Sequence, residues 1–537
     1  MGMVESARIS RGKRTFKMIL AAAMIAFAGV GAAAKDMVVM VWQLDELITM
    51  DPAEVYELAG MELMANVYDR LVYFPSDKID NAQPGLAESW TVSPDGMTFT
   101  FKIRKGAKFH SGNPVTAEDV AWSFQRAIKL NKGPAFIIGE LGLTPENVDS
   151  LATAPDASTF VLKVTKKLAQ SFVINCIGSG VGSVVDKKLV AKNEVSGDFG
   201  NAWLKKNDAG SGPFKLNMWK PNELVMLDAY PAYWKGAPTI KRVALRHVPE
   251  PATQRLMLEK GDADVARNLG PDDIAALQGK KDVKIRNVAQ GAITYLGLSQ
   301  KNPNLAKPEV REALKWLIDY SGMEKNILKG TKVVHQSFLP EGVLGAINSN
   351  PYSFNLEKAK ALLAKAGLPN GFKVTMDVTN TFPANVISQA IQADWAKAGI
   401  ELEIIPGDNK QTLTKYRARA HDIYIGRWSP DYADPHSNTQ GFAWNPDNSD
   451  SSTAKLLSWR NSWDIPELTR KAEAALTEGD TAKRKKIYEE MQMEHQKTSP
   501  FVLMYQDIWV IAERSGVTGF EVGPSSDYVY YRNIKVK

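Results

Sequence analysis

Past residue 35 the chain never keeps to one kind of secondary structure. Segments with the two-residue period of a strand and segments with the 3.6-residue period of a helix interleave down its length. That interleaving predicts α/β lobes rather than separate all-α and all-β domains. In WTVSPDGMTFTFKI, residues 90–103, PDG supplies a hairpin turn and Phe99, Phe101 and Ile103 alternate onto one face. Thr116 then stands as an N-cap with Asp119 three residues on, ahead of a helix whose apolar face carries Val120, Phe124, Ala127 and Ile128. Residues 241–266 read as strand, helix opened by Pro251, stop at Gly261, and returning strand. A helix is expected over 308–320, closing near Gly322, and another over 355–367, capped by Asn355 and ended by Gly367. Residues 383–426 read as helix to Gly399, strand IELEII, a short helix, and strand HDIYIG. Two helices near 465–477 and 481–496 precede a last strand, PFVLMYQDIWVI.

The 537 residues are enough for two large lobes or about three domains. With 44% apolar and 23% charged residues, the composition excludes a disordered, collagenous or coiled-coil chain. The formal charge is +6, but residues 1–34 hold five basic groups and one acidic group, +4 of that total, which leaves +2 for the rest. A body so near neutrality gives no electrostatic case for nucleic-acid binding. The same first residues read as a secretory signal, a basic stretch followed by the uncharged MILAAAMIAFAGVGAAA, with cleavage expected near Ala34. That apolar run is short and weakly apolar for a membrane span of about 20 residues. KRTFK, residues 13–17, loosely resembles a twin-arginine signal, with Lys13 in place of the first arginine. The one cysteine, Cys176, excludes an internal disulfide and any multi-cysteine metal site. It lies far from the leader, so a lipoprotein is not expected. Its surroundings, INCIG, are apolar, which favours a buried structural thiol.

Signatures of chemistry are few. There is no G-x-S-x-G elbow, P-loop, dinucleotide glycine fingerprint or H-E-x-x-H. GSGVG and GSGPF lack the spacing of a phosphate cradle, and the S-x-x-K at Ser452–Lys455 stands in helix-and-loop sequence without a sheet domain around it. The six histidines are scattered, and none pairs at metal-ligand spacing. No cofactor and no catalytic residue is expected. The informative segment is GRWSPDYADPH, residues 426–436, directly after the strand HDIYI. In α/β sheets ligands gather beyond the carboxyl ends of strands. This loop crowds Arg427, Trp428, Asp431, Tyr432, Asp434 and His436 together. Aromatic rings beside a carboxylate suit a small cation, because the rings exclude water and the carboxylate forms a charge-assisted bond. A proline-ordered turn whose Trp428 plugs the core is the other reading of the same residues.

PGLAESWTVSPDGMTFTFKIRKGAKFHSGNPVTAEDVAWSFQRA, residues 84–127, is similar to the signature region of bacterial extracellular solute-binding proteins of family 5, the dipeptide- and oligopeptide-binding group. MDPAEVYELAGMELMANVYDRLV, GSGPFKL, YWKGAPTIKRVALRHVPEPATQRLMLEKGDADVA, VREALKWLID, FNLEKAKALLAKAG and RWSPDYADP agree in the same order, so the resemblance covers essentially all of 35–537. It implies a two-lobed α/β periplasmic binding protein of type II, cluster C-like, with an extra domain inserted in the N-terminal lobe. Lobe I would comprise 35–80, 208–297 and 507–537, the inserted domain 81–207 and lobe II 298–506, with a hinge near Tyr295–Leu298 and Met504–Gln506. It implies a soluble periplasmic monomer that delivers its solute to an inner-membrane ABC permease and its ATPase.

By motif, Asp431 matches the aspartate that holds a peptide's α-ammonium, and Tyr56, Glu57 and Leu58 match a segment that pairs with the peptide backbone. Trp428 and Tyr432 accompany Asp431 as ligand-contact candidates. Arg427 stands where peptide-binding relatives often carry a small residue. If Trp428 faces the cleft, strand alternation turns Arg427 away. In a loop that is not extended, Arg427 meets a ligand carboxylate or phosphate. Arg267 and Asn268, just past the strand ADVA, are a second anion candidate. The expected function is capture of short peptides between the lobes. The alternative keeps the fold and changes the cargo to an opine, a sugar phosphate or a metal chelate. A secreted hydrolase is the remaining class, and it lacks every nucleophile and metal signature looked for.

Overall fold

The computed structural model describes residues 35–537; the leader and its cleavage site lie outside the described residues. One sheet of 11 strands runs through the protein. Its order is Glu401–Gly407, Lys373–Thr379, Ile423–Trp428, Val283–Leu298, Phe501–Arg514, Val265–Ala266, Met37–Trp42, Arg242–His247, Leu224–Ala229 and Phe214–Lys220, with Lys332–Val334 added beside Phe501–Arg514. The two central strands are the longest, 16 and 14 residues, and pair antiparallel with each other. One end of this ribbon joins the parallel strands Val265–Ala266 and Met37–Trp42 through Phe501–Arg514. The other end joins Ile423–Trp428 through Val283–Leu298. The ribbon is thus shared by two halves of the molecule, each with its own core. One core gathers Val38, Met40, Val225, Val243 and Tyr531; the other gathers Leu296, Leu314, Met376, Trp395 and Ile423.

The ribbon's pairing shifts register at two places. Pairing runs from Val283 opposite Arg514 to Ala289 opposite Ile508, then resumes with Ile293 opposite Gln506. Between them Gly291 donates its N–H to the Pro524 carbonyl at 2.9 Å instead of to the ladder. A β-carbon at Gly291 would lie 2.9 Å from Pro430 Cγ, so the loop after Ile423–Trp428 packs directly on this bulge. This first interruption lies a few residues before Tyr295–Leu298; the second, where Thr294 opposite Tyr505 gives way to Tyr295 opposite Leu503 and Met504 is left unmatched, lies at the expected crossings. The unmatched residues and the bond to Pro524 are tertiary features that strand periodicity does not carry.

A separate four-stranded antiparallel sheet, ordered Ala87–Val92, Thr98–Ile103, Thr159–Lys163 and Ala152–Asp156, forms the region after residue 80. The expected hairpin is its first pair. Helix Ala117–Leu130 carries the expected capping box, with the Asp119 N–H donating to Thr116 and the Thr116 N–H to Asp119. Phe99, Phe101, Phe124 and Phe160 fill the layer between sheet and helix. Elsewhere the expected elements form as Pro251–Lys260 with Gly261 at φ 84°, Leu356–Lys365 capped by Asn355, Ala384–Ala396, Pro466–Thr477 and Thr481–Thr498. The exception is the helix expected over 308–320, which spans Pro308–Trp316. Asp319 opens a fresh turn there by accepting the Gly322 N–H at 2.9 Å, so Gly322 lies inside helix Tyr320–Met323 and terminates nothing.

Candidate functional site

Strand Ile423–Trp428 positions the site. Its even residues Tyr424 and Trp428 face a core of Tyr295, Phe442 and Phe501, whereas Ile423 and Ile425 face the opposite side. The chain then turns through Ser429 and Pro430, and the Asp431 N–H donates to Ser437 Oγ at 2.8 Å. Asp434 caps helix Pro435–Ala443 by accepting the His436 N–H at 2.9 Å. Asp434 is itself buried, and the Arg484 guanidinium grips it in a fork with bonds of 2.7 and 2.8 Å. Arg484 also donates to Ser171 Oγ at 3.1 Å, and Asn175 donates to Asp434 at 3.1 Å. One buried ion pair therefore fixes the loop and joins it to the four-stranded-sheet region.

Asp431 borders a pocket of about 770 Å³. Trp428, Trp444 and Gln440 form its wall on the strand's side, and Phe136, Glu140 and Lys166 face them from the four-stranded-sheet region. A smaller pocket of about 170 Å³, bounded by Leu58, Gly291, Pro430 and Asp527, opens on the other side of Asp431. Between the two, the Tyr56 hydroxyl donates to Asp431 Oδ1. The Tyr56 ring is held edge-on to Phe136 at 6.1 Å. Burial pushes the Asp431 carboxyl up to about 6, with a smaller upward push from Glu140, against the Tyr56 bond that stabilises its ionised form. Glu140 is raised too, by burial, and accepts from Gln440 Nε2 at 3.1 Å. His436, on the same wall, is held neutral by burial, its pKa down at about 4. The Trp428 indole N–H is buried without an acceptor among the described residues. This arrangement suits a ligand with a cationic end: an acid in a partly dry site beside aromatic walls, with Glu140, Lys166, Lys455 and Glu473 as further charged groups in the lining.

The structure brings Asp431, Trp428, Tyr56 and Leu58 to these two pockets and leaves the other candidates outside them. Glu57 is the N-cap residue of helix Leu58–Val67; its carboxylate accepts the Tyr56 N–H at 3.2 Å and its carbonyl accepts the Met61 N–H at 2.9 Å. Those bonds commit this short stretch to starting a helix. Tyr432 is 3% exposed and packs edge-on against Phe172, so it is core rather than cleft. Arg427 follows the alternation reading. Opposite in face to Trp428, it donates Nε to Asp507 at 2.7 Å and Nη2 to Gln290 at 3.1 Å, beside the interruption of the ribbon. Arg267 is corrected as an anion candidate. It is 8% exposed, paired with Glu62 at 2.8 Å, and enclosed by Trp42, Trp509 and Phe520. Its neighbour Asn268 accepts the Gln43 N–H at 2.8 Å. Phe136, Glu140, Lys166 and Trp444 were not legible as site residues, since no motif marks them and only tertiary packing brings them to Asp431. Among the described residues no group of three His, Cys, Asp or Glu could hold a metal ion.

The description "Bacterial extracellular solute-binding proteins, family 5 Middle" matches residues 81–450. The chain belongs to this family. It is a two-lobed periplasmic solute-binding protein of the kind that serves ABC transporters, and the ribbon described above joins its lobes. Among its relatives is the probable D,D-dipeptide-binding periplasmic protein DdpA of Escherichia coli strain K12, 29% identical over 510 residues, covering 94% of this chain and 95% of the relative. The dipeptide-binding protein of the same strain is 26% identical over 500 residues, covering 88% and 89%. The solved structure of HbpA2 from Haemophilus parasuis superposes with a TM-score of 0.80 at 25% identity, covering 93% of this chain and all of that one.

Proposed function

We propose that this family 5 protein captures short peptides between its lobes, with Asp431 holding the α-ammonium, and delivers them to an inner-membrane ABC permease. The observation that carries this reading is the position of Asp431. It lies between two pockets in the contact zone of the two halves and is already engaged by a hydroxyl from the far side. A peptide ammonium would replace Tyr56 as donor to that carboxylate, with charge in place of a neutral bond. The larger pocket would take side chains, and its aromatic walls would tolerate many of them. Lys166 and Lys455 line that pocket and would face a ligand carboxylate. Two relatives whose names state dipeptide binding support the substrate class.

In this proposal lobe I comprises 35–80, 208–297 and 507–537, the inserted domain 81–207, and lobe II 298–506. The register shift from Thr294 opposite Tyr505 to Tyr295 opposite Leu503 adjoins the crossings between these segments, and the ribbon there serves as the hinge. Contacts made to both lobes only on closure shift the open–closed equilibrium, and the permease reads the closed form. Removal of residues 1–34 precedes release to the periplasm. Calorimetric titration with a free-amine dipeptide and with its N-acetylated form tests the reading. The acetylated form should bind at least about a hundredfold more weakly, as expected when one partner of a desolvated charge pair is removed. Equal affinity for the two would exclude Asp431 as an ammonium holder.

A further inference from the structure

A third pocket, of about 250 Å³, shares no lining residue with the two that flank Asp431. Its walls include Tyr73, Tyr233, Trp234, Lys235, Tyr530 and Arg532. A buried acid builds it. Asp69 accepts the Tyr233 hydroxyl at 2.9 Å, the Trp234 indole N–H at 3.0 Å and the Ser211 hydroxyl at 3.0 Å, which fixes both rings. Every one of those donors is neutral, and burial raises the Asp69 carboxyl.

The cations around this frame make no direct salt bridge, although Asp69 and Glu521 act on Lys235 at longer range. Lys235 Nζ lies 3.2 Å from the Tyr73 ring centroid and 5.1 Å from that of Trp234. The Arg104 guanidinium stacks on Trp234 at 4.3 Å. Arg532 donates Nη1 to the Lys235 carbonyl at 3.0 Å. Among the described residues, none of these three side chains has a carboxylate oxygen within 4.0 Å. Glu521, also in the wall, is engaged by the Asn533 amide, and Arg70 by Asp527 at 2.7 Å. The cations still outweigh the acids in their effect on one another: burial, Arg532 and Arg104 together push the Lys235 ammonium down to about 8, against the opposing pull of Asp69 and Glu521.

We propose that this pocket binds a small oxyanion, a carboxylate or a phosphate, between the Lys235 ammonium and the Arg532 guanidinium. Both cations line the pocket, and Arg532 keeps unused N–H groups in the planar fork that matches such an anion. The aromatic walls lower the local dielectric and strengthen the attraction. The volume fits an anionic group with a short body rather than an extended peptide. The site stands independently of the reading of the cleft.

The full exported chain is titrated with inorganic phosphate and, separately, with acetate, at an ionic strength held constant with chloride. Heat of binding and thermal midpoint are followed together. Saturable binding that raises the midpoint is expected, and the tighter of the two anions identifies the chemistry. Lys235→Met and Arg532→Gln should each weaken binding about tenfold or more, the loss of one charge-assisted bond. Asp431→Asn should leave it unchanged, and Lys235→Arg should retain it. If Lys235→Met does not fold, Arg532→Gln carries the same comparison. No saturable binding of either anion, undiminished binding in both charge-removing variants, or loss of binding in Asp431→Asn would overturn the proposal.

Discussion

The peptide-capture reading rests on the ionisation of one carboxyl, and that makes it measurable. Asp431 is pushed up from 3.8 to about 6, so the unliganded protein must hold it ionised before it can pair with an ammonium. The sign follows directly: affinity reaches its plateau about a unit above pH 6, is halved at about 6 and falls further as pH drops. At pH 5 about one Asp431 in eleven is ionised, so affinity for a free-amine dipeptide falls about tenfold, whereas an ordinary carboxyl would lose less than about a tenth. Asp431→Asn removes the charge altogether and should cost about 3–5 kcal/mol of binding, about a hundredfold to a few thousandfold, with a flat pH profile between 5 and 7. Tyr56→Phe removes the bond that stabilises the ionised form, so its acid limb should move to higher pH.

Stability separates this from a folding defect. A carboxyl whose folded pKa is raised contributes stability below its unfolded value and loses that contribution as pH rises through about 6. The unliganded Asp431→Asn protein should therefore unfold no earlier than the parent at pH 7. Calorimetric titration between pH 5 and 8, paired with thermal melts, reads both quantities. Tight, pH-independent binding of the dipeptide by Asp431→Asn would refute the reasoning.

Arg267→Met should leave Glu62 buried without its cation and lower unfolding free energy by about 3–5 kcal/mol, with dipeptide affinity unchanged; lost affinity without lost stability, by urea melts and calorimetry, would return Arg267 to the ligand site. Arg484→Met breaks the pair that holds Asp434 and should lower the urea midpoint by a comparable free energy, while Arg427→Gln, at a half-exposed pair, should cost about 1 kcal/mol or less. Cys176 is fully buried and its thiol is raised, first by burial and then by Asp434 and Glu140, so an aromatic disulfide reagent should label it at pH 8 only after denaturant is added. Labelling of the native protein at the rate of a free thiol would contradict that burial.

Much of the scaffold was legible because its determinants are local. The Thr116–Asp119 capping box, Asn355 ahead of its helix, and the stops at Gly261 and Gly367 each act within a few residues, and all form as expected. The placement of Asp431 beyond the carboxyl end of a strand is likewise local, since strand, turn and cap follow one another without a break. The helix expected to run on to residue 320 shows the limit even at short range: apolar periodicity continues there, but the Asp319 side chain competes for a backbone N–H and starts a new turn.

Partner choice is a different matter, decided only when the chain closes on itself. Nothing near Arg267 reveals that Glu62, 205 positions away, will neutralise it, and nothing near Asp431 reveals Tyr56, 375 positions away. Acids and cations of equal chemistry are spread over the whole chain, and the pairings depend on which of them the folded backbone brings within bonding distance. The same holds for Tyr432, which its loop offers to a ligand and its tertiary setting gives to Phe172, and for Phe136, Glu140 and Lys166, which become a pocket wall only across the contact between halves. Sequence alone determined the elements, their ends and the acid at the strand's mouth. Tertiary structure decided what faces that acid, because electrostatic and packing partners are chosen by distance in space.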